Sequence, residues 1–178
     1  SSSVTSSGSG ALTLSGNISV SGGVFQTGAG TTTLSGTNTY TGGTSISNGI
    51  LSVASGGVSG NSLSTGDISM TGGVLLANAT GSISNLISIT GSGTIAATSS
   101  ATLTIGGNIT GDAPTVGASG YTGTVVFGNS NQSVCVYFGT RLAYAIDKDI
   151  PSEFWADLKN HNMPSVDKAI KRYSKIEE

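Results

Sequence analysis

Upstream of Asn131 the aliphatic residues recur in pairs with one residue between them: Leu12 and Leu14, Ile18 and Val20, Ile68 and Met70, Ile87 and Ile89, Leu103 and Ile105. A spacing of two places both members of a pair on one face of an extended strand, and the Gly, Asn and Ser residues between pairs are turn formers. Strands of this length cannot bury a face alone. They become stable when each is stacked on an equivalent strand of a neighbouring unit, which makes an internal repeat the first thing to look for.

The repeat is present and imperfect. GSGALTLSG at 8–16 returns as GAGTTTLSG at 28–36, an offset of 20. NISVSGGV at 17–24 is similar to DISMTGGV at 67–74, and LTLSGNIS at 12–19 to LTIGGNIT at 103–110. Gly-Gly pairs end at 23, 43, 57, 73 and 107, and such drifting steps suit a solenoid better than a propeller blade or a bundle. The expected fold is all-β: a right-handed parallel β-helix, with about three strands per coil and coils about 4.8 Å apart. Some 130 residues at roughly 20 per coil give six or seven coils, a rod on the order of 30 Å long. A β-sandwich of the same short strands is the alternative architecture.

Composition supports many short strands over a few long helices. Of 178 residues 28 are glycine, and only 9% are charged, which separates the chain from highly charged disordered segments. Its net charge of -2 offers nothing to neutralise phosphates, so nucleic acid is not an expected partner. The single cysteine, Cys135, cannot form an internal disulfide. No apolar run approaches the roughly 18 residues of a spanning helix, and the serine-rich start lacks the basic region of a secretory signal.

Charge divides the chain in two. Before Thr140 the only charged side chains are Asp67 and Asp112, whereas all seven basic residues lie from Arg141 to Lys175. A boundary is therefore expected near Asn131, with a repeat region at 1–131 and a tail at 132–178. In the tail VCVYFG at 134–139 reads as a buried strand, and LAYAI at 142–146 as a strand or short helix. Residues 152–160, with Ser152 as N-cap and Phe154, Trp155 and Leu158 grouped, predict a helix. Pro164 and Ser165 introduce a second one, with Val166, Ile170, Tyr173 and Ile176 on one stripe and Lys168, Lys171, Arg172 and Lys175 on the other sides. Either this short α-helical tail caps the last coil, covering Val125 and Phe127, or it is unrelated sequence joined to the rod.

The stretch GAGTTTLSGTNTYTGGTSISNGILSV resembles the autotransporter-associated β-strand repeat. Gly30, Leu34, Ser35, Gly36, Asn38, Thr39, Tyr40, Thr41, Gly42, Gly43, Thr44 and Ile46 all fit its pattern. Residues 8–23 keep L-T-L-S-G but lose N-T-Y-T, and GYTGTVVFGNSN at 120–131 reads like the start of another unit. This resemblance, over about 130 residues, implies the passenger region of a type V secreted protein, on the cell surface or secreted beyond the Gram-negative outer membrane. It also implies a structural role for the signature residues. Members carry a signal peptide and a C-terminal outer-membrane β-barrel translocator; no such barrel is expected within these 178 residues, because barrel strands are about ten residues each and many are needed.

Candidate chemistry is sparse. Asp67 and Asp112 are 45 residues apart, just over two coils, or roughly 11 Å along the axis. Paired glycosidase carboxylates lie about 5 to 9.5 Å apart, and the repeats hold no Lys, Arg or His to assist. Asp67 takes the place of Asn17 in the matching unit, which favours a turn role. The G-x-G triplets at Gly8, Gly28 and Gly91 do not continue into a phosphate loop. N-x-[ST] sequons begin at Asn17, Asn78, Asn108 and Asn131, as a Ser- and Thr-rich chain produces by chance. Thr31, Thr32, Thr33, Thr39, Thr41 and Thr44 invite comparison with the threonine ranks that bind ice or sugars, but the TTT is not repeated, so solvated strand surface is expected. His161 stands alone and Cys135 has no ligand spacing, so no metal site is expected. No catalytic or cofactor-binding residue and no cofactor is assigned. The expectation is a monomeric, non-enzymatic rod displaying an adhesive surface to a host-surface or polysaccharide ligand; the alternative is a polysaccharide-binding or polysaccharide-cleaving β-helix protein.

Overall fold

The structure, a computed structural model, describes residues 2–53, 63, 64 and 66–128, together with the backbone of strands Val134–Phe138 and Arg141–Ile146. Every strand up to Phe127 pairs in parallel with its counterparts in adjacent coils. The first sheet stacks Val4–Ser6, Val24–Gln26, Thr44–Ile46, Ile68–Met70, Ile87–Ile89 and Ile109–Gly111. The second stacks Ala11–Leu14, Thr31–Leu34, Ile50–Val53, Val74–Ala77, Thr94–Ala97 and Thr115–Val116. This is a parallel β-solenoid of about six turns, and no helix occurs among the described residues.

Alternation decides what fills it. In the second sheet Leu51, Leu75 and Ile95 lie in register and point inward, as do Leu34, Val53, Ala77 and Ala97, and all are core members. The first sheet adds Ile46, Ile68, Met70, Ile87 and Ile89. Two-residue alternation on strands of three or four residues leaves two inward side chains per strand, so the core is a set of aliphatic columns running along the axis.

The third side differs from the expectation of three strands per coil. Only Gly81–Ile83, Thr102–Ile105 and Thr124–Phe127 form a parallel sheet there. In the first coil Ile18 and Val20 belong to no strand, although both pack partly buried against the core. Side-chain amides join the coils instead: Thr37 N–H donates to Asn17 Oδ1 at 2.8 Å and Ile18 N–H to Asn38 Oδ1 at 2.9 Å. Asn85 does the same further on, donating through Nδ2 to the carbonyl oxygens of Ser64 and Gly66.

Two of the internal similarities are out of phase with the coils. Ile68 stands in a first-sheet strand and Val74 in a second-sheet strand, whereas Ile18 is in neither and Val24 is in the first sheet. Leu12 lies in the second sheet and Leu103 in the third. Asp67 therefore does not replace Asn17: Asp67 leads into a first-sheet strand and accepts Thr44 N–H on its carbonyl. Short aliphatic-polar motifs recur wherever a strand follows a turn, so similarity of eight residues does not fix which side of the rod they occupy. The 8–16 and 28–36 match is in phase, with Ala11 opposite Thr31 and Leu14 opposite Leu34.

Beyond Phe127 the ladder reverses. Val134–Phe138 pairs antiparallel with Thr124–Phe127, and Arg141–Ile146 pairs antiparallel with Val134–Phe138, so LAYAI is a strand. The helices expected at 152–160 and after Pro164, and the contact of Phe154, Trp155 and Tyr173 with the last coil, lie outside the described residues.

One polar cluster is fully enclosed. Gln26 is 0% exposed; its Nε2 donates to the carbonyls of Gly28 at 2.8 Å and Gly30 at 3.1 Å, and its Oε1 accepts the Thr32 hydroxyl at 2.6 Å. The amide thus pins the turn between the first and second sheets in the second coil. Gln26→Leu strands the Thr32 hydroxyl and the Gly28 carbonyl, while the Gly30 carbonyl keeps Ile50 N–H, and is expected to cost about 1–3 kcal/mol. Chemical denaturation checks this; an unchanged midpoint would mean the turn holds without its clamp.

Candidate functional site

The outward side of the first sheet carries one residue per strand: Thr5, Phe25, Ser45, Ser69, Ser88 and Thr110, in register from coil to coil. Two positions further along each coil come Ser7, Thr27, Ser47, Thr71, Thr90 and Asp112. Their alignment is held by backbone bonds, in which Thr27, Ser47, Thr71, Thr90 and Asp112 each donate N–H to a carbonyl of the preceding coil at 2.8 to 3.0 Å. All twelve are exposed or half-exposed. Ten carry hydroxyl groups, with Phe25 and Asp112 as the exceptions. The rows follow the coil spacing of about 4.8 Å in one direction and a two-residue rise of roughly 6.6 Å in the other.

The other two sides are not comparable. On the outside of the second sheet the register runs Thr13, Thr33, Ser52, Leu76 and Ala96, and exposure falls along it until Leu76 is 5% and Ala96 0% exposed. On the third sheet Ser82 is exposed, Thr104 half-buried and Val126 buried. Among the described residues, an exposed array spanning six coils is found on the first sheet alone.

The threonine cluster noted in the sequence is divided. Thr31 and Thr33 face outward half-buried, but Thr32 and Thr44 are buried and serve internal hydrogen bonds. Solvated surface is thus the wrong reading for Thr32 and Thr44, because in TTTL the alternation turns the middle threonine inward beside Leu34. The array that does form was hidden, since its members come singly from six strands and their equivalence follows only from register.

The signature residues occupy structural positions. Leu34 and Ile46 are core. Gly30, Gly36 and Gly42 stack on Gly10, Gly16 and Gly22, and a Cβ on any of them would run into the backbone of that preceding coil. Gly43 has φ +80°, the left-handed region. Ser35 and Thr41 donate their N–H groups to Leu14 and Val20, and Thr39 to Ile18. Asn38 bridges Leu63 in the next coil. Tyr40 is fully buried, its hydroxyl 2.6 Å from Thr44 Oγ1, which in turn donates to the Leu63 carbonyl at 2.9 Å. With the Thr44 proton committed there, the Tyr40 O–H is the donor of the pair. Burial pushes the phenol up to about 12, against a smaller lowering by the Thr44 bond.

Asp67 and Asp112 are both exposed. Asp67 immediately precedes Ile68–Met70 and Asp112 immediately follows Ile109–Gly111, so they flank opposite ends of first-sheet strands two coils apart. Asn17, Asn78 and Asn108 are exposed, and Asn131 and His161 lie outside the described residues.

Residues 24–53 match the family model of the passenger-associated-transport-repeat. No curated protein and no solved structure matches the chain. The matched stretch spans four strands, from Val24–Gln26 to Ile50–Val53, two on each of the first two sheets. One such repeat, wound into a parallel β-solenoid, supports an autotransporter passenger with repeats.

Proposed function

We propose that the chain serves as a non-enzymatic adhesive rod at the cell surface or in secreted form, and that the double row of hydroxyls on the first sheet is its contact face. The observation that carries this is continuity: ten hydroxyl groups in two rows along six coils, with a single charge at one end. A neutral hydroxyl array favours a partner of the same chemistry, and a neutral polysaccharide has hydroxyls that donate and accept along its length. Phe25 supplies the one aromatic surface in the array, suited to the apolar face of a sugar ring.

Parallel stacking also suits export. Each coil contacts only its neighbours, so the rod can grow coil upon coil as the chain emerges, and no disulfide is needed. The repeat family supports a location outside the cell.

The test is co-sedimentation with insoluble cellulose and chitin, with soluble pectin and alginate as charged competitors, and with reducing ends measured in parallel. Retention on a neutral polysaccharide without turnover is expected. Replacing Ser45, Ser69 and Ser88 together by Ala removes the central hydroxyls of one row without adding charge and is expected to abolish retention while the unfolding midpoint changes little. Retention unaffected by the triple variant would refute this face as the contact surface, and turnover would make the protein an enzyme.

A further inference from the structure

We propose that Asn48 is a site of spontaneous covalent modification, in which its carboxamide closes to a cyclic imide and reopens as aspartate or isoaspartate, and that the turn of the third coil builds the site. This goes beyond the adhesive reading and does not depend on it.

Asn48 is the one asparagine in the sequence followed by glycine. It is exposed in the turn between Thr44–Ile46 and Ile50–Val53. On either side the backbone is anchored to the preceding coil: Ser47 N–H donates to the Gln26 carbonyl at 2.9 Å and Ile50 N–H to the Gly30 carbonyl at 3.0 Å. Gly49 N–H takes a different partner, donating to Oδ1 of Asn48 itself at 2.8 Å. The carboxamide is thereby held against the peptide nitrogen that attacks it. The fold also requires the glycine: Gly49 has φ +61°, and a Cβ there would collide with the carbonyl oxygens of Gly28 and Gly30. A position that only glycine can fill leaves the nucleophilic nitrogen without a neighbouring side chain.

The other asparagines lack one or more of these features. Asn17 and Asn108 precede Ile18 and Ile109, and Asn78 precedes Ala79, so a Cβ crowds each nitrogen. Ile18 N–H is engaged by Asn38, and Asn17 Oδ1 by Thr37. Asn38 and Asn85 are buried.

In the reaction a solvent base removes the Gly49 amide proton, and the nitrogen forms a bond to Asn48 Cγ. The Cγ–Nδ2 bond breaks and ammonia leaves with a proton from solvent. Water then opens the imide. Cleavage between Cγ and the nitrogen restores an ordinary backbone with aspartate; cleavage at the α-carbonyl carbon routes the main chain through Cγ as isoaspartate. Each product adds one negative charge beside Ser47, a member of the outer hydroxyl row, and so alters the rim of the neutral face.

The experiment is incubation of the folded protein at mildly alkaline pH, followed by peptide mapping and isoaspartyl methyltransferase labelling, with the urea-unfolded chain as reference. Conversion at Asn48 is expected at least about tenfold faster than at Asn17, Asn78 or Asn108, equivalent to about 1.4 kcal/mol in barrier, and to accelerate as pH rises. Asn48→Gln is expected to remove the labelled peptide and leave the fold unchanged. Retention of the Asn48 amide in the folded protein while the unfolded chain converts there would overturn the proposal, because the turn would then protect the site. Equal rates at Asn17, Asn48, Asn78 and Asn108 would overturn it as well.

Discussion

Alanine in place of Tyr40 is expected to lower the unfolding free energy by about 3–5 kcal/mol, the range for removing a large buried ring. Tyr40 is 0% exposed and lies within the hydrophobic core cluster. Its hydroxyl and Thr44 form a relay to the Leu63 carbonyl, so truncation empties volume and also leaves Thr44 Oγ1 without its donor. Tyr40→Phe separates the two effects. It keeps the packing, and Thr44 still donates to Leu63, so a loss near 1 kcal/mol is expected.

The same residue sets an alkaline limit. The phenol titrates near 10 in the unfolded chain and is pushed up to about 12 in the folded one. The folded state then holds its proton more tightly, so stability from this group is complete below pH about 10 and is lost as pH rises from there through about 12. The loss is on the order of 2 kcal/mol. Denaturation curves against pH check this. Wild type should fall across that window while Tyr40→Phe loses less, and parallel curves for the two would show that Tyr40 does not govern the alkaline limb.

Leu75→Ala is expected to cost about 2–5 kcal/mol. Leu75 is 0% exposed and stands in register between Leu51 and Ile95 in a continuous aliphatic column. Because a solenoid is held by nearest-neighbour interfaces, the cavity weakens the contacts on both sides of one coil and leaves distant coils intact. Hydrogen exchange reads that directly. Amides of Ile50–Val53 and Thr94–Ala97 should lose protection, and those of Val24–Gln26 should keep theirs. A uniform loss would mean that the coils unfold as one block and that the one-dimensional picture fails.

Much of the architecture is legible in the sequence. Aliphatic pairs at a spacing of two, too short to bury a face alone, demand stacking, and the 20-residue offset between 8–16 and 28–36 gives the length of a coil in residues. Ile68, Met70, Ile87, Ile89, Leu103 and Ile105 are readable as core from that pattern. The third side was not readable. There Asn17 and Asn38 substitute side-chain acceptors for a ladder, and no local pattern distinguishes such a turn from a strand. Nor was the reversal at Val134 visible, since alternation is identical in parallel and antiparallel strands.

By itself the sequence determined that the chain is a stack of short strands whose aliphatic pairs share one face, because strand periodicity is a local property; the inward turn of Thr32 and Thr44 it did not show. Which residues share a face was decided only by tertiary structure. Coil lengths vary, from the 19 residues between Ile68 and Ile87 to the 24 between Thr44 and Ile68, and every insertion shifts the alignment of all that follows. Register between coils is fixed by core packing and by backbone hydrogen bonds across the stack, and the hydroxyl rows of the first sheet exist only once those bonds have set it.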